Sequence, residues 1–124
     1  MRDFIFFTNR KITAQECFEA IKIEMPTADK GDGTTSIFVG GKNRAYLWFS
    51  NDRISDCWEE EIKVFKGKVP MDNAYLVNFE TYRSIEAKKM IKALLRVYPE
   101  LYVNVQDDDW WGTAQEYLDT EFDY

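Results

Sequence analysis

A run of three aspartates followed by two tryptophans contains the residue types most able to do chemistry in this chain. Asp107, Asp108 and Asp109 stand directly before Trp110 and Trp111. Carboxylate oxygens can bind Mg²⁺ or Ca²⁺, although three consecutive acids cannot all point at one ion without an irregular backbone. The run could also be a solvated turn at the positive end of a following helix. A third interpretation is a recognition surface, because carboxylates attract basic proteins and aromatic rings add short-range binding energy.

A second segment repeats this combination of acidic and aromatic residues. Trp58 precedes Glu59, Glu60 and Glu61. These glutamates could be a solvated helix face, or they could join the aspartates in one negative patch if the two segments lie close together. We predict a partner-binding surface without catalytic residues or a metal site. Its residues are Trp58, Glu59, Glu60, Asp107, Asp108, Asp109, Trp110 and Trp111.

The net charge of the chain is concentrated at its C-terminal end. Residues 101–124 contain seven of the 22 acidic residues and none of the 16 Lys and Arg residues, so they carry −7 while residues 1–100 carry +1. Such a segment repels nucleic-acid phosphates and steers encounters with basic proteins. Lys88, Lys92 and Arg96 form a basic helical stripe that is more typical of a solvated outer face. We therefore expect a basic protein partner and no nucleic acid.

The composition argues against catalysis and against membrane insertion. The chain has no histidine, the commonest general base and metal ligand. Cys17 and Cys57 form no CxxC pair, and we expect reduced thiols in a cytoplasmic protein. No apolar run approaches the roughly 18 residues of a membrane span, and residues 4–7 are too short for a secretory signal. We predict no enzyme activity, no cofactor and no membrane partner.

Hydrophobic periodicity predicts the elements that position these residues. Strands are expected over residues 3–8, 35–39, 44–50, 73–80 and 101–105. The first helix should begin after Thr13, which forms a capping box with Glu16, and end at Pro26. A second helix should be capped by Ser84 and run to about Val97, and a short helix should begin at Gly112 or Thr113. For residues 51–68 the sequence allows two alternatives. One is a short helix capped by Ser55, and the other is an edge strand over residues 62–65.

This order predicts a single α+β domain spanning residues 1–124. A mixed β-sheet should pack against two long helices and a short C-terminal helix, with most helices on one side. Because strand, helix and strand follow one another over residues 73–105, a right-handed parallel crossover is expected there.

Residues 98–113, with the sequence YPELYVNVQDDDWWGT, carry a resemblance to a known class of proteins. The segment, together with the size and acidic, aromatic-rich composition of the chain, resembles immunity proteins of bacterial polymorphic toxin and contact-dependent growth inhibition systems. The resemblance implies a cytosolic protein that binds a cognate toxin domain, often a basic nuclease, and blocks its active site. It also implies that Asp107, Asp108, Asp109, Trp110 and Trp111 contact the toxin.

The function expected from the sequence is therefore neutralisation of a toxin by occlusion of its active site. The alternative is another small interaction or regulatory module without catalytic activity. A third hypothesis is an enzyme that uses carboxylates, with or without a divalent metal; a bound ion would raise its thermal stability.

Overall fold

The chain forms seven strands and four α-helices in the computed structural model, which describes residues 2–30, 36–39, 45–48 and 53–121. In chain order the elements are β1 (Arg2–Thr8), α1 (Ala14–Glu24), β2 (Asp29–Lys30), β3 (Ser36–Val39), β4 (Ala45–Trp48), α2 (Glu59–Lys68), β5 (Tyr75–Thr81), α3 (Ser84–Leu95), β6 (Tyr102–Val105), β7 (Trp110–Thr113) and α4 (Ala114–Leu118). The predicted α+β class is confirmed.

The strands form one sheet in the order β2-β3-β4-β5-β1-β6-β7, and every neighbouring pair is antiparallel. The prediction of a mixed sheet was wrong in this detail. β5 and β6 do run parallel to each other across α3, but β1 lies between them and pairs with both. Strand β1 thus occupies an interior position in the sheet, where both of its faces can be covered.

Strand β1 is apolar on both faces because each face has its own core. Phe4 and Phe6 point to one side, where α1, α3 and α4 contribute most of the helical apolar residues. Ile5 and Phe7 point to the other side, where they pack with Phe65 of α2. The molecule therefore has three layers, with three helices on one face of the sheet and α2 on part of the other.

Local capping explains where several helices begin. Thr13 precedes α1 and its hydroxyl accepts a hydrogen bond from the Glu16 backbone N–H (3.3 Å), as predicted. The predicted capping box is incomplete, because the Thr13 backbone N–H donates to the Tyr98 hydroxyl and not to Glu16. Thr113 caps α4 in the same way, with the Glu116 N–H as donor (3.1 Å). Helix α3 begins one residue earlier than expected, so Ser84 lies in its first turn and does not cap it.

The segment before β5 resolves the alternatives that the sequence left open. A short 3-10 turn, Ile54–Asp56, precedes α2, and residues 62–65 belong to that helix, so an edge strand there is excluded. The apolar residues Ile62, Phe65 and Val69 recur at helical spacing and pack into the second core. The predicted hairpin of β3 and β4 is confirmed for residues 36–39 and 45–48, and its turn at 40–43 lies outside the described residues.

Two further findings concern the state of the cysteine thiols and whether any helix could cross a membrane. Cys17 and Cys57 are not joined in a disulfide, and Cys17 is fully buried. In the part of the chain that the structure describes, no helix combines the length and the apolar character that crossing a membrane requires.

Candidate partner-binding site

The aspartate run forms the turn between β6 and β7. Gln106–Asp108 make one 3-10 turn, and Asp109 follows with left-handed backbone angles (φ 48°, ψ 40°). Asp is one of the few residues with a side chain that enter this region readily, because its carboxylate can bond locally. The sequence predicted a turn here, but it placed a helix directly after it and missed β7.

Two of the aspartates fasten this turn to the start of β1. Asp107 accepts a hydrogen bond from the backbone N–H of Asp3 (2.8 Å), and the guanidinium of Arg2 lies 3.7 Å from the Asp108 carboxylate. Each carboxylate therefore faces a different donor, while all three aspartates of the run remain exposed. Over the described ranges, no three acidic, cysteine or histidine side chains are grouped as a cation site requires.

The two tryptophans point to opposite faces of the sheet. Trp110 stands opposite Val105 and Trp111 opposite Asn104 in the β6–β7 register, and successive residues of a strand alternate between faces. Trp110 packs edge-on against Tyr117 of α4, with 5.6 Å between ring centroids. Both indoles are half-buried, so the adjacent pair cannot form one continuous aromatic surface.

Trp111 lies on the face of the sheet that α2 covers. Its ring is 6.3 Å from the ring of Phe7 and 6.3 Å from that of Phe65. Its indole N–H donates to the Asp109 carboxylate (3.1 Å). Packing on one side and a hydrogen bond on the other fix the orientation of this indole.

Glycine is required at position 112 because the Trp110 ring lies directly over this residue of β7. A Cβ at Gly112 would lie 2.6 Å from the Trp110 ring. We expect Gly112→Ala to lower the free energy of unfolding by about 2 kcal/mol, because the ring must shift within a packed core. Urea unfolding measures this change. The control is Gly67→Ala in α2, where no described atom beyond the local helix backbone lies within 4 Å of the added Cβ and a gain of up to about 1 kcal/mol is expected. Equal effects at both glycines would contradict this account.

The second acidic segment forms the first turn of α2. Trp58 is the N-cap residue and is 81% exposed, and Glu59, Glu60 and Glu61 are exposed in the turn that follows. Carboxylates at a helix N-terminus are favoured by the helix dipole. The Glu61 carboxylate also accepts from the Trp58 backbone N–H (3.3 Å). Of the three glutamates, Glu61 therefore helps to start the helix.

The two acidic segments meet across a groove between α2 and the β6–β7 hairpin. We call it the acidic groove; its volume is about 310 Å³. Its lining residues are Glu60, Glu61, Val64, Phe65, Asn104, Gln106, Asp109 and Trp111. Aromatic and aliphatic side chains thus stand beside three carboxylates, and no basic residue lines the groove in the described part of the chain.

The structure places the predicted site residues in three groups. Glu60, Asp109 and Trp111 line the acidic groove. The remaining residues of the two segments lie on the exposed start of α2 or in the hairpin turn, except for Trp110, which lies on the opposite face of the sheet. Sequence reasoning missed Phe65 as a groove residue, although its spacing from Ile62 and Val69 was a helical signal.

A second acidic pair lies on the part of this sheet face next to the groove. Asp3 of β1 and Glu80 of β5 are direct cross-strand partners, and Tyr46 of β4 stands on the other side of Glu80. Burial raises the pKa of the Glu80 carboxyl above its usual range, and the hydrogen bond to Asp3 and its negative charge raise it further. Like charges directly opposite in a sheet are destabilising.

Removing the charge of Glu80 should therefore stabilise the protein at neutral pH. The folded state holds the Glu80 proton to higher pH than the unfolded state does, so its contribution to stability is lost as pH rises through the folded pKa. We expect Glu80→Gln to raise the free energy of unfolding at pH 7 by about 0.5 kcal/mol, with the difference vanishing near pH 4. Urea titrations at both pH values measure it, with Glu100→Gln as the control. A loss of stability at pH 7 would contradict the account.

The buried thiol of Cys17 lies in the other core and is not part of this site. Burial raises the pKa of the Cys17 thiol to about 12, so the thiolate is scarce at neutral pH, and only a thiolate is strongly nucleophilic. Its sulfur lies 3.7 Å from the Tyr98 hydroxyl, which accepts the Thr13 backbone N–H (2.9 Å). These contacts tie the end of α3 to the start of α1.

Comparisons with protein-family models, with curated proteins and with solved structures gave no match. The functional interpretation therefore depends on the geometry and charge of the described residues.

Proposed function

We propose that the chain is an immunity protein, which binds a basic toxin domain through the acidic groove and blocks its active site. The observation that supports this most strongly is the groove itself, where acids from segments about fifty residues apart in sequence stand around an apolar floor. An interface centre of this kind joins charge complementarity with buried aromatic contact.

The charged and the aromatic residues of the groove would have different roles in binding. Glu60, Glu61 and Asp109 would steer a basic partner toward the groove, since charge complementarity acts mainly on association rate. Trp111 and Phe65 would supply contact area at little entropic cost, because packing and the indole hydrogen bond already hold the Trp111 ring.

Occlusion follows from the same chemistry if the toxin is a nuclease. A nuclease cleft is lined with cations that bind phosphates. Carboxylates of the groove would take the positions of substrate phosphates, while Trp58 at the exposed start of α2 would cover the rim. No catalytic step by the chain itself is needed.

The experiment that tests this proposal pairs the chain with the basic protein encoded beside it in the genome of its source. Expression of that protein alone should arrest growth, and co-expression of this chain should restore it. Glu60→Lys combined with Val64→Lys, at two exposed positions of the groove, should abolish the rescue while leaving a folded, soluble protein. The Glu19→Lys variant, altered on α1, should rescue fully. Binding without any toxicity to rescue would place the chain among other interaction modules, and no binding would overturn the proposal.

A further inference from the structure

A second depression lies beside the acidic groove on the half of the sheet face that α2 leaves open. It has a volume of about 370 Å³, and Asp3, Trp48, Asn78, Glu80 and Gln106 contribute to its lining. Helix α2 packs at the Phe7 end of β1, whereas Asp3 is at the other end of the strand. Gln106 lines both depressions, so they form one continuous surface.

The lining of this depression combines the Trp48 indole with a carboxyl pair. The rings of Tyr46 and Trp48 lie 4.4 Å apart, and Trp48 is 37% exposed. Asp3 and Glu80 are cross-strand neighbours. Among the described residues, the ion pairs present involve neither of these two carboxyl groups. A partly exposed indole beside two carboxylates is an environment that favours a cation.

The shape of that cation follows from the donors and acceptors present. A guanidinium is planar, stacks on aromatic faces and presents five N–H donors in a fixed fork. Two carboxylates together with the side-chain amides of Asn78 and Gln106 offer acceptors for that fork. An ammonium group is a compact, strongly hydrated point charge and would use the indole face and the paired acceptors less fully.

We propose that this depression, the aromatic–acid pocket, binds an arginine side chain of the basic partner that occupies the acidic groove. The inference rests on the proposed function for the source of the arginine, but the pocket can be tested without the partner. An arginine would neutralise the repulsion between Asp3 and Glu80. The Asp3–Glu80 pair would thus lower the free energy of unfolding of the free protein and strengthen binding of the arginine in the complex.

The test is a titration of the full chain with N-acetyl-arginine amide, followed at the indole N–H signals by NMR. The Trp48 signal, assigned by its loss in Trp48→Phe, should shift and saturate, while that of Trp58 should stay in place. N-acetyl-citrulline amide, a neutral analogue of the same shape, should cause no saturable shift, and N-acetyl-lysine amide should bind more weakly. Glu80→Gln or Asp3→Asn should weaken arginine binding by about fivefold, and Glu100→Gln should leave it unchanged.

The outcomes separate this inference from the proposed function. Equal shifts with citrulline or lysine, or an arginine shift unaffected by Glu80→Gln, would overturn the arginine pocket. A partner that still bound through the acidic groove would then leave the proposed function standing. Saturable arginine binding at Trp48 would support the pocket, even if the groove variants left partner binding unchanged and the proposed function failed.

Discussion

Removing the charges of the acidic groove is expected to slow association with the basic partner by about tenfold at low salt. The variant is Glu60→Gln, Glu61→Gln and Asp109→Asn together. Its physical basis is the loss of the carboxylates that steer the encounter. The substitutions keep the structural roles of these residues, because Gln can still accept the N-cap hydrogen bond and Asn tolerates the left-handed conformation of position 109.

Stopped-flow association measured over a range of salt concentrations tests this prediction. The slope of the association rate against salt should flatten in the groove variant, since fewer charges remain to be screened. The control, Glu19→Gln, Glu100→Gln and Glu121→Gln, removes the same charge from exposed residues that do not line the groove. If the control slowed association as much as the groove variant did, only net charge would matter and the groove would have no special role.

Truncation of Phe65 should release α2 from the sheet. Phe65 is the one buried residue within α2, and its ring packs against Phe7 at 5.1 Å and near Trp111 at 6.3 Å. Phe65→Ala should lower the free energy of unfolding by about 3 kcal/mol, with the loss concentrated in α2. Since Phe65 also forms part of the groove floor, binding of the partner should weaken with it.

Amide hydrogen exchange locates this effect, and urea unfolding gives its size. Exchange in α2 should accelerate far more than exchange in α1 or α3, because the other core stays intact. Val64→Ala is the matched control on the same helix, since Val64 is 50% exposed and should cost no more than about 0.5 kcal/mol. Uniform acceleration across all helices would contradict a separate core beneath α2.

The elements that local chemistry dictates could be predicted from the sequence. The density of Phe and Ile over residues 3–8 predicted the first strand, and the N-cap residue Thr13 located the start of α1. Pro26 and Pro99 marked the ends of the two long helices within a few residues. In each case the physical cause lies within a few positions of its effect.

The parts that sequence reasoning missed depend on contacts between distant segments. Strand β7 is only four residues long and follows a turn held partly by Arg2 and Asp3, about a hundred residues away. The insertion of β1 between β5 and β6 made the sheet antiparallel, and no local pattern reports which strands become neighbours. The acidic groove exists because α2 and β7 are both packed on Phe7.

The most direct measurement of the central claim is a hydrogen-exchange footprint of the purified complex with the basic partner. Protection should fall on the first two turns of α2 and on the β6–β7 hairpin, and it should extend to β4 if an arginine occupies the aromatic–acid pocket. A footprint confined to the outer surfaces of α1, α3 and α4, on the opposite side of the sheet, would contradict the account.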